Sequence, residues 1–241
     1  MSNLKCADIS KKYEDKLVVD NVTIKVDTKQ VIGLLGPNGA GKTTTFYMLV
    51  GLIRCNTGMI LLNDEEITNL PMHKRSDLGI SYLPQEASIF RNLTVKENIM
   101  AILETRKSIN TNELKKKFDG LVDTLQISNI LDNSGASLSG GERRRVEIAR
   151  SLATNPKFLL LDEPFAGIDP ISVIEIQKII KTLVDSDIGV LITDHNVRET
   201  LKVCNEAYIL SEGKVIAHGE PSKIIKNKVV QNVYLGDSFK L

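Results

Sequence analysis

The chain has 241 residues, 42% hydrophobic and 25% charged, and 31 Lys+Arg against 30 Asp+Glu leave a net charge of +1. That length supports a substantial core without cross-links, and the composition excludes collagen-like, low-complexity and disordered chains. The near balance of charge removes the bulk electrostatic case for a nucleic-acid partner.

The N-terminus, MSNLKCADISKKYEDK, is polar and lacks the apolar core of a secretory signal, so no leader is expected. Val31–Leu35 is apolar without alternation and reads as a buried strand. A helix is expected from Lys42 to about Ile53. The longest uncharged apolar stretch, about 46–53, is far short of the roughly 18 residues that a membrane-spanning helix needs. From about residue 88 to 155 strong strand runs are missing, while 95–103 and 113–125 favour helix, so a helical insertion is expected there. Strand signals return at Lys157–Leu161 and Gly189–Thr193 around a helical pattern over Ile171–Val184. Strand, helix, strand predicts a parallel sheet with crossover helices. Ala207–His218 reads as a hairpin turning at Ser211-Glu212-Gly213. Cys6, Cys55 and Cys204 are far apart, make no metal-ligand spacing and are expected to be buried or half-buried thiols of a reduced protein.

Chemistry enters at the end of the first buried strand. Gly36-Pro37-Asn38-Gly39-Ala40-Gly41-Lys42-Thr43-Thr44 fits the phosphate-binding pattern GxxxxGK[ST] between a strand and a helix, the context that the motif requires. Its glycines let successive backbone N–H groups face a polyphosphate, the helix N-terminus adds positive potential, Lys42 supplies a full charge, and the Thr43 hydroxyl suits Mg²⁺. A second element is Phe158-Leu159-Leu160-Leu161-Asp162-Glu163, an apolar strand ending in two acids at the edge where α/β proteins bind ligands. Asp162 suits the shell of a divalent cation, and Glu163 suits a general base on an attacking water.

Leu138-Ser139-Gly140-Gly141-Glu142, followed by RRRVEIARSL, resembles the signature segment of ATP-binding-cassette transporter ATPases. It is a second anion-binding element, with its helix expected from Glu142 onward. The resemblance covers essentially the whole chain and implies an α/β fold: a P-loop NTPase (RecA-like) core with an N-terminal antiparallel β portion and a helical subdomain. It implies one domain over 1–241, with the core at about 1–87 and 156–241 and the helical part at about 88–155. It implies ATP and Mg²⁺ as ligands and a head-to-tail homodimer, in which Ser139, Gly140, Gly141 and Asp169 reach the nucleotide held by the other copy. Within one chain the same resemblance assigns Tyr13 to stacking on adenine, Gln85 to the cation and its water, and His195 to the terminal phosphate as the catalytic partner of Glu163. Thr43, Gln85 and Asp162 are then the metal-side residues. His73 and His218 match nothing in the pattern.

Further segments, including YLPQEASIFRNLTVKENI, LLLDEPFAGIDPISV, LITDHNVRETL and the late Tyr234-Leu235-Gly236, resemble the lipopolysaccharide-export branch of the family. That branch implies two transmembrane permease partners and a location on the cytoplasmic face of the inner membrane. Phe90 and Arg91 read equally as a buried aromatic with a solvated Arg at the start of the helical insertion; the family geometry, in which the surface beside Gln85 receives a short partner helix, implies that the partner chains dock there. An ATPase subunit of another transporter of the same family, such as a branched-chain amino-acid importer, is the alternative; the core motifs would look alike.

Overall fold

The structure is a computed structural model describing residues 2–105, 110–236 and 239. Positions 106–109 of the expected helical insertion, and the ends of the expected 1–241 domain, lie outside these residues. Chain order begins with β1 (Asn3–Tyr13), β2 (Lys16–Asp27), β3 (Val31–Leu35), α1 (Lys42–Val50), β4 (Thr57–Leu62), β5 (Glu65–Glu66), α2 (Met72–Asp77) and β6 (Ile80–Leu83). Three helices follow, α3 (Val95–Leu103), α4 (Thr111–Leu125) and α5 (Gly140–Ala153). The chain then returns through β7 (Phe158–Asp162), α6 (Pro170–Asp185), β8 (Gly189–Thr193), α7 (Val197–Leu201), β9 (Glu206–Ser211), β10 (Lys214–Gly219) and α8 (Pro221–Lys226).

Two sheets result. One is antiparallel, in the order β2-β1-β4-β5. The other runs β10-β9-β3-β8-β7-β6, parallel from β9 to β6, with β10 closing the edge as the expected hairpin. Every residue of β3, β7 and β8 is buried, which is why these strands read as continuous apolar runs rather than alternating ones. The parallel strands therefore all end at one edge, where the loops after β3, β6, β7 and β8 meet.

One core joins α1 to both sheets through Phe46, Met48, Leu49, Ile24, Ile60 and Leu160. A second spans the other face of the parallel sheet and the helical region, through Val95, Ile99, Leu125, Val146, Leu159 and Ile180. Among the described residues between β6 and β7 the regular elements are helices joined by loops, and the one strand-type pairing is a bridge between Thr94 and Ser134. The sequence expectation for α1 is corrected at its C-terminus. The helix stops at Val50, not at about Ile53, because Gly51 adopts φ 89° and its N–H bonds back to the Tyr47 carbonyl. The helix expected from Glu142 begins two residues earlier, since Ser139 is its N-cap.

Arg75 of α2 is 1% exposed. Its guanidinium donates to the carbonyls of Met48 and Leu49 at 2.7 Å each, and of Leu70 and Thr68 at 2.9 Å each. A fixed cation thereby caps the last turn of α1, the helix whose first turn starts in the glycine-rich loop. Burial lowers the Arg75 pKa to about 10, still far above neutrality. Arg75→Met would strand several buried carbonyls and is expected to cost about 2–4 kcal/mol in chemical denaturation. Arg75→Lys is expected to recover only part of this, because an ammonium cannot reproduce the planar fork. Full stability of both variants would show that the clamp contributes nothing.

Candidate functional site

The glycine-rich loop connects β3 to α1. Gly36, Gly39 and Gly41 have φ of 148°, 78° and 94°. A Cβ at Gly36 would lie 2.1 Å from the Leu210 carbonyl oxygen, and one at Gly41 would lie 2.6 Å from that of Val18. Both positions therefore require glycine on steric as well as torsional grounds. Gly213 N–H donates to the Ala40 carbonyl at 3.1 Å, and Asp20 N–H donates to the Gly213 carbonyl at 2.9 Å. The turn of the β9–β10 hairpin and strand β2 thus brace the loop from behind. The Lys42 ammonium folds over the loop, donating to the carbonyls of Gly36 at 2.7 Å and Pro37 at 2.9 Å. Burial lowers its pKa, and the nearby Glu163 carboxylate acts in the opposite sense. Thr43 is exposed and Thr44 half-buried at the start of α1.

The carboxylate strand delivers its two acids differently. Asp162 is buried, and burial, reinforced by the Glu163 charge, raises its pKa to about 6. Glu163 turns away from the strand with φ 47°, a left-handed conformation that a non-glycine residue adopts at some cost. Its N–H is held by the Thr193 carbonyl at 2.7 Å. Its side chain is gripped on both oxygens: Gln85 Nε2 donates to Oε2 at 2.7 Å, and His195 Nε2 lies 2.7 Å from Oε1. Three residues separated by 78 and 32 positions in sequence therefore converge, and both partners are exposed on the same edge. Asp194, buried beside His195, accepts from the N–H groups of Phe165 at 3.0 Å and Asn196 at 2.7 Å and so fixes the turn that presents the imidazole.

The signature sits at the start of α5. Ser139 and Glu142 form a reciprocal capping box, with Ser139 Oγ donating to Glu142 Oε2 at 2.7 Å and accepting from the Glu142 N–H at 3.3 Å. The bonds that its carboxylate accepts from the Ser139 hydroxyl and, at 2.9 Å, from the Ser139 N–H hold the Glu142 carboxyl below its ordinary pKa. Gly141 is required by contact: a Cβ there would lie 2.0 Å from Ser172 Oγ. Asp169 caps α6 through the N–H groups of Ile171 and Ser172, at 3.0 Å each, and accepts from Ser172 Oγ at 2.6 Å, which lowers its pKa. Within one chain the signature thus packs on the loop before α6, through Gly167 and Ile168, and on its first turn, through Ser172. Gly140 and Gln85 line a common cavity of only about 40 Å³ with Arg143, Arg144, Ala166 and Ile168. Tyr13 is 46% exposed at the end of β1, with the Lys11 ammonium 5.2 Å from its ring centroid. Phe90 is also 46% exposed, and Arg91 is exposed beside it.

Residues that sequence reasoning passed over tie these pieces together. Arg144, buried in α5, donates to the carbonyls of Pro84 and Asp162 at 2.8 Å each and lies 3.4 Å from Glu147. Glu147 in turn accepts from the Ser88 N–H at 2.7 Å. Arg144 and Glu147 lie one helical turn apart on one face of α5, a spacing legible in RRRVEIARSL, but their carbonyl and amide partners lie outside that segment. Among the described residues no cluster of three or more His, Cys, Asp or Glu side chains could hold a metal ion. No described helix is long and apolar enough to cross a membrane.

A nucleotide-phosphate loop, a gripped carboxylate two strands away on the same sheet edge and a capped glycine signature on a helical arm define an ATP-binding cassette. The family model for ABC transporters matches residues 19–166, and the chain belongs to that family. Over all 241 residues, and over the full length of both relatives, it is 58% identical to the lipopolysaccharide export system ATP-binding protein LptB of Haemophilus influenzae and 54% identical to that of Escherichia coli K12. The fold is shared with a nucleotide-free ATP-binding cassette from an ABC transporter, at TM-score 0.87 and 27% identity, covering 98% of this chain and 100% of the other.

Proposed function

We propose that the chain is the ATP-hydrolysing subunit of a lipopolysaccharide-export transporter, working as a homodimer on two transmembrane chains at the cytoplasmic face of the inner membrane. The observation that supports hydrolysis best is the grip of Gln85 and His195 on the two Glu163 oxygens. The substrate class rests on whole-chain identity to LptB of two organisms.

In this reading the N–H groups of Gly36–Thr44, the first turn of α1 and the Lys42 ammonium bind the triphosphate, and Tyr13 stacks on the base. Glu163 accepts a proton from the attacking water. Gln85 orients the carboxylate and the water, and His195, already in contact with Glu163, faces the terminal phosphate. The donors near the cradle fit Mg²⁺: a Thr43 hydroxyl, one Asp162 carboxylate and the Gln85 amide oxygen are hard oxygen ligands, and phosphate oxygens complete such a set. A bound Mg²⁺ supplies charge neutralisation at the β- and γ-phosphates. By the family resemblance Ser139, Gly140, Gly141 and Asp169 serve the ATP held by the other copy; within their own chain Gly141 lies against Ser172, whose hydroxyl bonds to Asp169.

The test is purification from membranes. The chain should co-purify with two transmembrane proteins identified by mass and hydrolyse ATP, and its depletion should stop lipopolysaccharide from reaching the outer membrane. Continued delivery of lipopolysaccharide after depletion would overturn the substrate assignment.

Docking of the partner chains falls at Phe90 and Arg91. Both are exposed, and the Arg150 guanidinium lies 4.2 Å from the centroid of the Phe90 ring. A groove of about 600 Å³ opens beside them, lined by Val50, Leu52, Met72, Tyr82, Ile102 and Arg150 among others. An aromatic anchor with a cation beside an apolar groove suits a short amphipathic helix. Phe90→Ala and Arg91→Ala are expected to leave the melting temperature and ATP affinity of the isolated chain nearly unchanged. Recovery of the membrane complex is expected to fall several-fold, as loss of about 1–2 kcal/mol at a hot spot would require. A strong loss of melting temperature with intact assembly would instead make Phe90 a packing residue.

A further inference from the structure

Two apolar side chains stand in solvent just beyond Asp169. Ile171 is 72% exposed and Ile174 50% exposed, the two most exposed isoleucines among the described residues. They lie three apart on the first two turns of α6 and so share one face. Beside them a groove of about 330 Å³ runs between α6 and α7, lined by Phe165, Ile168, Pro170, Ile174, Gln177 and Glu199 among others. Nothing else in the α6 pattern is wasteful: Val173, Ile176, Ile179, Ile180 and Leu183 are all buried.

The patch sits between two parts of the site. On one side the 167–172 segment abuts the signature, with Gly140 against Gly167 and Ile168, and Gly141 against Ser172. On the other side the chain just before it is tied to the cradle-side residues, because Phe165 N–H is held by Asp194, next to His195, and His195 contacts Glu163. The start of α6 therefore lies between the cradle side and the signature side of the chain. In a two-fold pair that seats each signature on the opposite cradle, whatever lies between the two elements is nearest the axis and meets its own equivalent.

We propose that Ile171 and Ile174 form an apolar contact with the same residues of a second copy across the two-fold axis, and so contribute to closure of the ATP-bound pair. The inference rests on the head-to-tail reading above. The occupant is a second copy because the patch is continuous with the Asp169 loop that this reading places at the dimer interface. An isologous contact of two β-branched side chains per copy is self-complementary.

The test uses full-length chain carrying Glu163→Gln, so that bound ATP persists, with sedimentation measuring association. The Glu163→Gln parent should dimerise with ATP. Adding Ile171→Glu and Ile174→Glu should weaken that association about tenfold or more, because two carboxylates would be buried against two others. ATP binding at concentrations where the chain is monomeric should stay unchanged, and Ile171→Leu with Ile174→Val should associate like the parent. As a check independent of folding, Ile174→Cys in a Cys55→Ser background should be joined to its copy by a short bismaleimide only with ATP. A cysteine at Met59, 44% exposed on β4, should not be. Unchanged association of the Glu variants, or no ATP-dependent cross-link at Ile174→Cys, overturns this inference alone. Failure of the parent to dimerise with ATP overturns the head-to-tail reading and this inference with it.

Discussion

Glu163→Gln is expected to retain ATP binding while steady-state hydrolysis falls by ~10²–10⁴, the usual worth of a positioned general base. The substitution keeps the volume and can still bond to Gln85 and His195, the partners found at 2.7 Å on each oxygen, so the loop geometry should survive. What it removes is a basic oxygen with an available lone pair. The left-handed φ of 47° at this position is a backbone property that Gln accommodates as Glu does, so stability should change little. Rates are to be measured as phosphate release at saturating ATP, with nucleotide affinity from a fluorescent analogue. Hydrolysis within a few-fold of the parent would remove Glu163 from the role of base.

The second large effect comes from dividing two lesions between copies. Lys42→Ala removes the cradle charge, and Ser139→Arg destroys the capping box and fills the space before α5. In a mixed dimer carrying one lesion on each chain, both fall on the same ATP and the other site stays whole. About half of the ATP occupancy is then expected to remain, since two elements serving one ligand fail together. With both lesions on one chain, each site carries one defect and occupancy should fall at both. Equal occupancy in the two arrangements would show that Ser139 and Lys42 do not serve one nucleotide across the interface.

How far the sequence reached depends on where each residue finds its partners. The glycine-rich loop was legible because its glycines, its lysine and the apolar strand before it are contiguous. The strands β3, β7 and β8 were legible because burial on both faces leaves an uninterrupted apolar run. Strand β1 was harder: its pairing shifts register between Cys6 and Ile9 and again before Lys11 and Lys12, with Asp8 at φ 51°, so the two-residue alternation is broken along the strand. The roles of Gln85 and His195 came from family resemblance, since no spacing in sequence brings both to Glu163. Arg75 and Arg144 were invisible for a different reason. Their partners are main-chain carbonyls, which every residue carries, so no side-chain pattern marks the acceptor.

The two carbonyls that Arg144 holds have a consequence for the pair as a machine. They fix the distance from the signature helix to the end of the acid strand inside one chain. In the proposed pairing that helix touches the nucleotide of the opposite copy, while the strand serves its own. Each copy would then act as a bar with a ligand at both ends, and two such bars joined through two ligands would make a closed four-membered linkage. Such a linkage would not lengthen at one joint without turning the other, so loss of one phosphate would be felt at the second site.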